Sequence, residues 1–321
     1  MDTRAMTEPR RTERDLRDVI AQGRDFLPET MTVIENGEGP TVLVCGGIHG
    51  DEYEPQIVLR QVAREIRPEM VSGRLIIIPS INFPGAQRGQ RLSTLDGANM
   101  NRTFPGAADG SPTERLSHFL SQELFPRCDL LIDLHTGGNE YRVVPLIFGF
   151  SDDRCRTGPA ELESQMEAWG YRFIQYVEGV PSTAVGCALA QGLASVETEG
   201  GSGGPIDGAE LSELHGNLMR GLARAGVIRS GPPASTAEPI RVRVGPQNQY
   251  PAPRDGIVEH HVALGDYVRK GARLATLHPV SDNGDEPLVI RSDVDGYVLR
   301  QNANAFVKAG ALVGNTGSPV D

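Results

Sequence analysis

Residues 46–52 read Gly-Gly-Ile-His-Gly-Asp-Glu and follow a short apolar run, residues 41–45, with the composition of a β-strand. The imidazole of His49 and the carboxylate of Glu52 are both common ligands of catalytic zinc. Glycines before and after His49 let the backbone turn sharply and approach whatever lies at the strand end. If a helix starts near Glu52, positions i and i+3 share a face and both side chains can point at one centre. Without a metal, the same residues would be a turn-capping histidine and two solvated acids at a helix start. A second corner, residues 130–138, reads Leu-Leu-Ile-Asp-Leu-His-Thr-Gly-Gly, so another buried-type strand ends in a histidine and two glycines. His135 completes a two-histidine, one-carboxylate set with a fourth position left open for water. Asp133 is two residues earlier and shares the strand face of His135, where it could orient the imidazole or cap a neighbouring loop.

Three further groups have types suited to hydrolysis. Asn101 and Arg102 sit in a loop bounded by glycine and proline, where a guanidinium can hold a substrate carboxylate through two parallel hydrogen bonds. As plain loop residues they would make turn contacts and a solvated cation. Arg88 and Arg91, just upstream, are alternative sources of positive charge for a developing oxyanion. Glu197 and Glu199 end the apolar residues 194–198 and precede a glycine-rich stretch. Either could take a proton from a metal-activated water; they alternate onto the same strand face, and Glu199 is the nearer to the glycines.

The elements that must position these groups alternate in type. Apolar runs at 41–45, 75–79 and 130–134, with helical patterns at 54–66 and 112–124, predict βα units around a mainly parallel sheet. Ser111, Pro112 and Glu114 form a helix-start signature. A helix at 158–169, a strand at 171–177, a helix at 184–191 and a strand at 194–198 continue the series. Residues 228–236 are a linker rich in turn formers. Beyond it, short strands at 241–244, 256–260, 267–268, 273–276, 288–290 and 296–299 predict a small β-barrel or sandwich. Two segments echo each other, Asp255-Gly256 with Asp295-Gly296 and residues 265–271 with 304–310, an arrangement similar to the biotinyl/lipoyl-type fold. No lysine occupies the turn at 292–295, so no covalent cofactor is expected there. The resulting division is an N-terminal arm (1–28), a catalytic domain (29–230) and a β domain (238–318).

A chain of 321 residues, 39% hydrophobic and 23% charged, has the length and composition of a globular protein with one large and one small domain. The net charge of -11 and the lack of a long basic run argue against nucleic acid as a partner. The arginine-rich start also carries Asp2, Glu8, Glu13 and Asp15, and reads as a mobile arm. No run approaches the roughly 20 apolar residues of a membrane span, and no signal-type segment opens the chain; a cytoplasmic location is expected. The four cysteines, Cys45, Cys128, Cys155 and Cys187, show no paired spacing and require no disulfide.

Taken in order, H-x-x-E at 49–52, Asn-Arg at 101–102, D-L-H-x-G-G at 133–138 and E-G-G at 199–201 resemble the succinylglutamate desuccinylase/aspartoacylase family of zinc carboxypeptidase-like hydrolases. The resemblance spans about residues 30–315, and residues 46–54 and 96–102 look most like its N-acetyl-diaminobutyrate deacetylase branch. It implies an α/β fold, a mainly parallel or mixed sheet flanked by helices, with a small C-terminal all-β domain. It further implies one Zn2+ per chain on His49, Glu52 and His135, Glu199 as base, Arg91 at the oxyanion, and Asn101 with Arg102 binding the substrate carboxylate. The spacer from Arg91 to Asn101 is longer than in the aspartoacylase branch, which keeps Arg88 in play. The expected activity is removal of an acyl group from a small anionic N-acyl amino acid or diamino acid. A zinc carboxypeptidase for small peptides and a non-catalytic ligand-binding relative are the alternatives, and homo-oligomerisation is left open.

Overall fold

The structure is a computed structural model that describes residues 9–15, 30–177, 181–201, 203–280 and 286–320. Its central strands, Gly73–Ile78, Thr41–Gly46, Leu130–Leu134 and Ala194–Glu199, lie side by side in that order and run parallel. Thr30–Asn36 joins one side and Leu146–Phe150 the other, both antiparallel, so the sheet is mixed.

These strands are apolar at nearly every position because both faces are covered. Val42, Val44, Leu75, Ile77 and Ile132 belong to one core with Val58, Leu59, Val62, Leu162, Trp169, Leu218 and Leu222, which come from the helices Tyr53–Glu65, Pro159–Trp169 and Gly208–Arg224. Leu43, Cys45, Ile76 and Leu131, one residue out of phase, face a second core with Leu116, Leu120, Val185 and Ala188. Each such side chain, fully buried, contributes on the order of 1.5–3 kcal/mol, which fixes the register and with it the face on which every polar strand residue emerges.

Several predicted details are present. Ser111 accepts a hydrogen bond from the Glu114 N–H, and the Glu114 carboxylate accepts one from the Ser111 N–H, closing the capping box at the start of the helix Pro112–Phe119. The chain then continues through a wider-wound turn, Leu120–Leu124. The helix Gly208–Arg224 and the strands Thr30–Asn36 and Leu146–Phe150 are additional to the elements expected from sequence. Part of the expected arm is also ordered: Arg10–Asp15 pairs antiparallel with Thr30–Asn36, and Glu35 binds both Arg10 (3.0 Å) and Arg74 (2.7 Å). The rest of that arm, residues 1–8 and 16–28, lies outside the described residues.

Towards the C-terminus, Gly256–His260, Arg273–His278, Leu288–Arg291 and Phe306–Val307 form a separate antiparallel sheet of four strands. The internal echo is an interlock. Asp255 accepts from the Ala309 N–H and pairs with Lys308, while Asp295 accepts from the Lys270 N–H and pairs with Arg269. The other C-terminal strands are stitched into the main sheet: Ile240–Arg243 pairs with Phe173–Tyr176, and Gly296–Asn302 pairs with Tyr141–Val143 just after the His135 corner. Among the described residues, no helix is long and apolar enough to cross a membrane.

Candidate active site

The two histidine corners and Glu199 meet at the carboxyl ends of the parallel strands Thr41–Gly46, Leu130–Leu134 and Ala194–Glu199, where open α/β sheets bind their ligands. A helix does start near Glu52, at Tyr53, and His49 to Glu52 form the turn that leads into it. Glu52 is the residue before the helix, with non-helical φ -91° and ψ 89°, and its N–H bonds the His49 carbonyl at 3.3 Å. Gly47 adopts φ +65°, and its missing side chain leaves room for Gln56. That glutamine donates to the carbonyls of Gly50 and Glu52 at 3.0 and 2.9 Å and accepts from Ser80, so the helix braces the turn.

His49, Glu52 and His135 converge, with one ligand atom from each lying within 4.8 Å of the others. His49 Nδ1 is 2.8 Å from Glu52 Oε1, and His135 Nδ1 is 2.9 Å from Glu52 Oε2. The remote ring nitrogens each face an acceptor: His49 Nε2 is 3.2 Å from Asn99 Oδ1, and His135 Nε2 is 3.1 Å from Asp133 Oδ2. With a metal bound, these acceptors would favour the Nε2–H tautomer and leave both Nδ1 lone pairs for the ion; without one, each Nδ1 stands at hydrogen-bond distance from Glu52. Two imidazole nitrogens, one carboxylate and oriented remote nitrogens fit a zinc ion. Burial by itself would raise the Glu52 carboxyl, but the two imidazoles outweigh it and hold it below the usual range. Burial likewise opposes charge on His135, yet Asp133 and Glu52 overcome it and keep its pKa well above the usual imidazole value.

Arg91 donates to Glu52 Oε1 at 3.0 Å, whereas Arg88 is exposed on the preceding turn. Asn101 is buried with its Oδ1 taken by the Ala184 N–H at 2.9 Å, and Arg102 is exposed. Asn99 links that loop to the centre, because its Oδ1 also accepts from the Asn101 N–H at 3.0 Å. Glu199 lines the same recess as His135; its Oε1 pairs with Arg300 at 3.2 Å, and its buried Oε2 has no hydrogen-bond partner among the described residues. Burial pushes Glu199 up and Arg300 opposes the shift. Glu197 sits one register step deeper, opposite Asp133, and burial pushes its carboxyl up to about 8.

Other participants carry no local sequence signal. Asp51 Oδ2 accepts the Asn139 N–H at 3.1 Å and so ties the first corner to the second. The buried Glu54 accepts from Thr136 Oγ1 at 3.3 Å, and Arg300 arrives from the C-terminal strands. Asn99 lay within the expected loop, but nothing in its surroundings distinguished it from its neighbours.

Residues 38–214 match the succinylglutamate desuccinylase/aspartoacylase catalytic domain model. The chain belongs to that family. Within the family it is 32% identical over 302 residues to an N-alpha-acetyl-L-2,4-diaminobutyric acid deacetylase from Halomonas elongata, a match covering 92% of this chain and 86% of that relative. The product-bound ectoine utilization protein EutE (DoeB) from Ruegeria pomeroyi superposes with a TM-score of 0.85 at 30% identity, covering 91% of this chain and 89% of that one. A succinylglutamate desuccinylase/aspartoacylase from Rhodobacter sphaeroides gives 0.83 at 32% identity over 92% of this chain and 90% of that one. These matches extend past residue 214, so the C-terminal strands are common to this family member and its solved relatives.

Proposed function

We propose that the protein is a zinc-dependent amidohydrolase that removes the acyl group from a small N-acyl amino acid or N-acyl diamino acid, and that it works in the cytoplasm. The observation that carries this reading is the convergence of His49 Nδ1, Glu52 and His135 Nδ1 on one point, with the half-buried Glu199 on the same recess. A zinc ion held by His49, Glu52 and His135, one per chain, would supply a Lewis acid for the scissile carbonyl and a water acidic enough to attack near neutral pH.

The chain's own groups do the rest. Glu199 Oε2 takes a proton from the attacking water and later passes it to the departing nitrogen, so that the C–N bond breaks to a carboxylate and an amine. Arg91, held at the centre by Glu52, offers positive charge where the carbonyl oxygen becomes negative. Arg88 is exposed on the preceding turn and is the weaker candidate. Asn101 and Arg102 would anchor the substrate carboxylate, Arg102 with its exposed guanidinium and Asn101 through its amide nitrogen, since its oxygen is engaged. A net charge of -11 is compatible with an anionic substrate because steering follows the local field at the cleft.

The Halomonas relative is named for an N-acetyl diamino acid, which makes Nα-acetyl-2,4-diaminobutyrate the first substrate to try. A panel of N-acetyl, N-succinyl and other N-acyl amino acids, N-acyl diamino acids and dipeptides, each assayed with zinc, tests the reading. Release of acid from acyl-amino acids with dipeptides left intact is the expected result. Cleavage of dipeptides in preference would instead identify a carboxypeptidase, and no turnover across the panel would favour a ligand-binding role.

A further inference from the structure

A base that takes a proton on one carboxylate oxygen is best served when its other oxygen is fixed, because small displacements at the reacting centre are costly. Glu199 has this division: Oε1 is paired with Arg300 at 3.2 Å and Oε2 has no hydrogen-bond partner among the described residues. Arg300 is over a hundred positions away in the C-terminal strand Gly296–Asn302, yet that strand pairs with Tyr141–Val143, with Arg300 opposite Val143. The Tyr141 ring lies 5.2 Å from the guanidinium carbon and steadies it. Two further bonds close the same seam, Ala303 N–H to the Glu140 carbonyl at 2.8 Å and Arg142 to Gln301 Oε1 at 2.9 Å, and Val143 N–H to the Gly201 carbonyl at 3.0 Å ties it to the loop after Glu199.

We propose that Arg300 is a positioning residue for the hydrolytic reaction, reaching from the C-terminal strands to fix Glu199 Oε1 so that Oε2 faces the attacking water. The active site is therefore incomplete without the C-terminal part of the chain. This rests on the assignment of Glu199 as the base, and the test separates the two claims.

The experiment compares kcat and KM for Nα-acetyl-2,4-diaminobutyrate in the zinc-loaded, full-length protein and its variants Arg300→Met, Arg300→Lys, Glu199→Gln, Arg300→Met with Glu199→Gln, and Arg142→Met. Arg142→Met breaks a seam bond without touching Glu199. Arg300→Met should lose roughly 10- to 100-fold in kcat, with KM and zinc content little changed. Arg300→Lys should recover most of the loss, Arg142→Met should stay near wild type, and adding Arg300→Met to Glu199→Gln should cost nothing more. The proposal is overturned if Glu199→Gln is inactive while Arg300→Met turns over normally. It is equally overturned if Arg142→Met loses as much as Arg300→Met, or if the two losses multiply in the double variant. Normal turnover in Glu199→Gln would instead remove the base assignment itself.

Discussion

Asp133→Asn is the most informative single substitution near the centre. The Asp133 carboxylate is completely buried, accepts from His135 Nε2 at 3.1 Å and receives a long contact, 3.5 Å, from Cys45 Sγ on its other oxygen. A hydrogen bond to a charged group contributes about 1.5–3 kcal/mol, and every 1.4 kcal/mol is about tenfold in an equilibrium constant. Asparagine keeps an acceptor oxygen and removes only the charge, so zinc affinity should fall about tenfold. Asp133→Ala also strands a buried imidazole N–H and should approach about 100-fold. A pH signature accompanies the loss. Asp133 helps to hold His135 above its ordinary pKa, so removing it leaves fewer protons to expel when metal binds. That gain opposes the loss at low pH and vanishes at high pH, so the deficit should widen as pH rises. Competition with a chromophoric chelator across pH 6 to 9, with circular dichroism to establish folding, measures both effects. Folded variants with wild-type zinc affinity at every pH would refute the idea that Asp133 orients the ligand.

Two other substitutions probe the frame. A Cβ on Gly50 would lie 2.3 Å from backbone atoms of Gly85 and Ala86 and 2.5 Å from the Gln90 carbonyl. Gly50→Ala should therefore cost about 1–3 kcal/mol, read as a lower urea midpoint, and an unchanged midpoint would show that the turn yields freely. Glu197 has a folded pKa of about 8 against an ordinary value of 4.5, so its contribution to stability is present below the lower value and is lost as pH rises through the upper one. In zinc-free protein, Glu197→Gln should gain on wild type between pH 5 and 8, by up to about 1.4 kcal/mol per pH unit, and the difference should level off above 8. A constant difference in melting temperature from pH 5 to 9 would mean that Glu197 ionises like a surface acid.

What the sequence disclosed follows from range. His49, Glu52, Asp133 and His135 lie on two short segments whose strand and glycine composition is self-evident, and period-two alternation put Asp133 on the face of His135. The geometry of the first corner was not legible, because a turn braced by Gln56 and a helix start both place residues i and i+3 together. Arg300 was invisible because its partner is 101 residues away and only the pairing with Tyr141–Val143 brings it near. Arg10–Asp15 read as an arm because it has no apolar alternation; it is held as an edge strand by its ladder to Thr30–Asn36 and by the Glu35 ion pairs. The helix Gly208–Arg224 was masked by its mixture of glycine and polar residues, although Leu218 and Leu222 bury its inner face.

The proposed hydrolysis requires one metal ion held by His49, Glu52 and His135. The most direct measurement is turnover of N-acyl substrate as zinc is added back to chelator-stripped protein, alongside His49→Ala and Glu52→Ala. Turnover should rise linearly with zinc and saturate at one ion per chain, and both variants should lose metal and activity together while remaining folded. Undiminished hydrolysis by the stripped protein, or by either variant without bound zinc, would contradict the account.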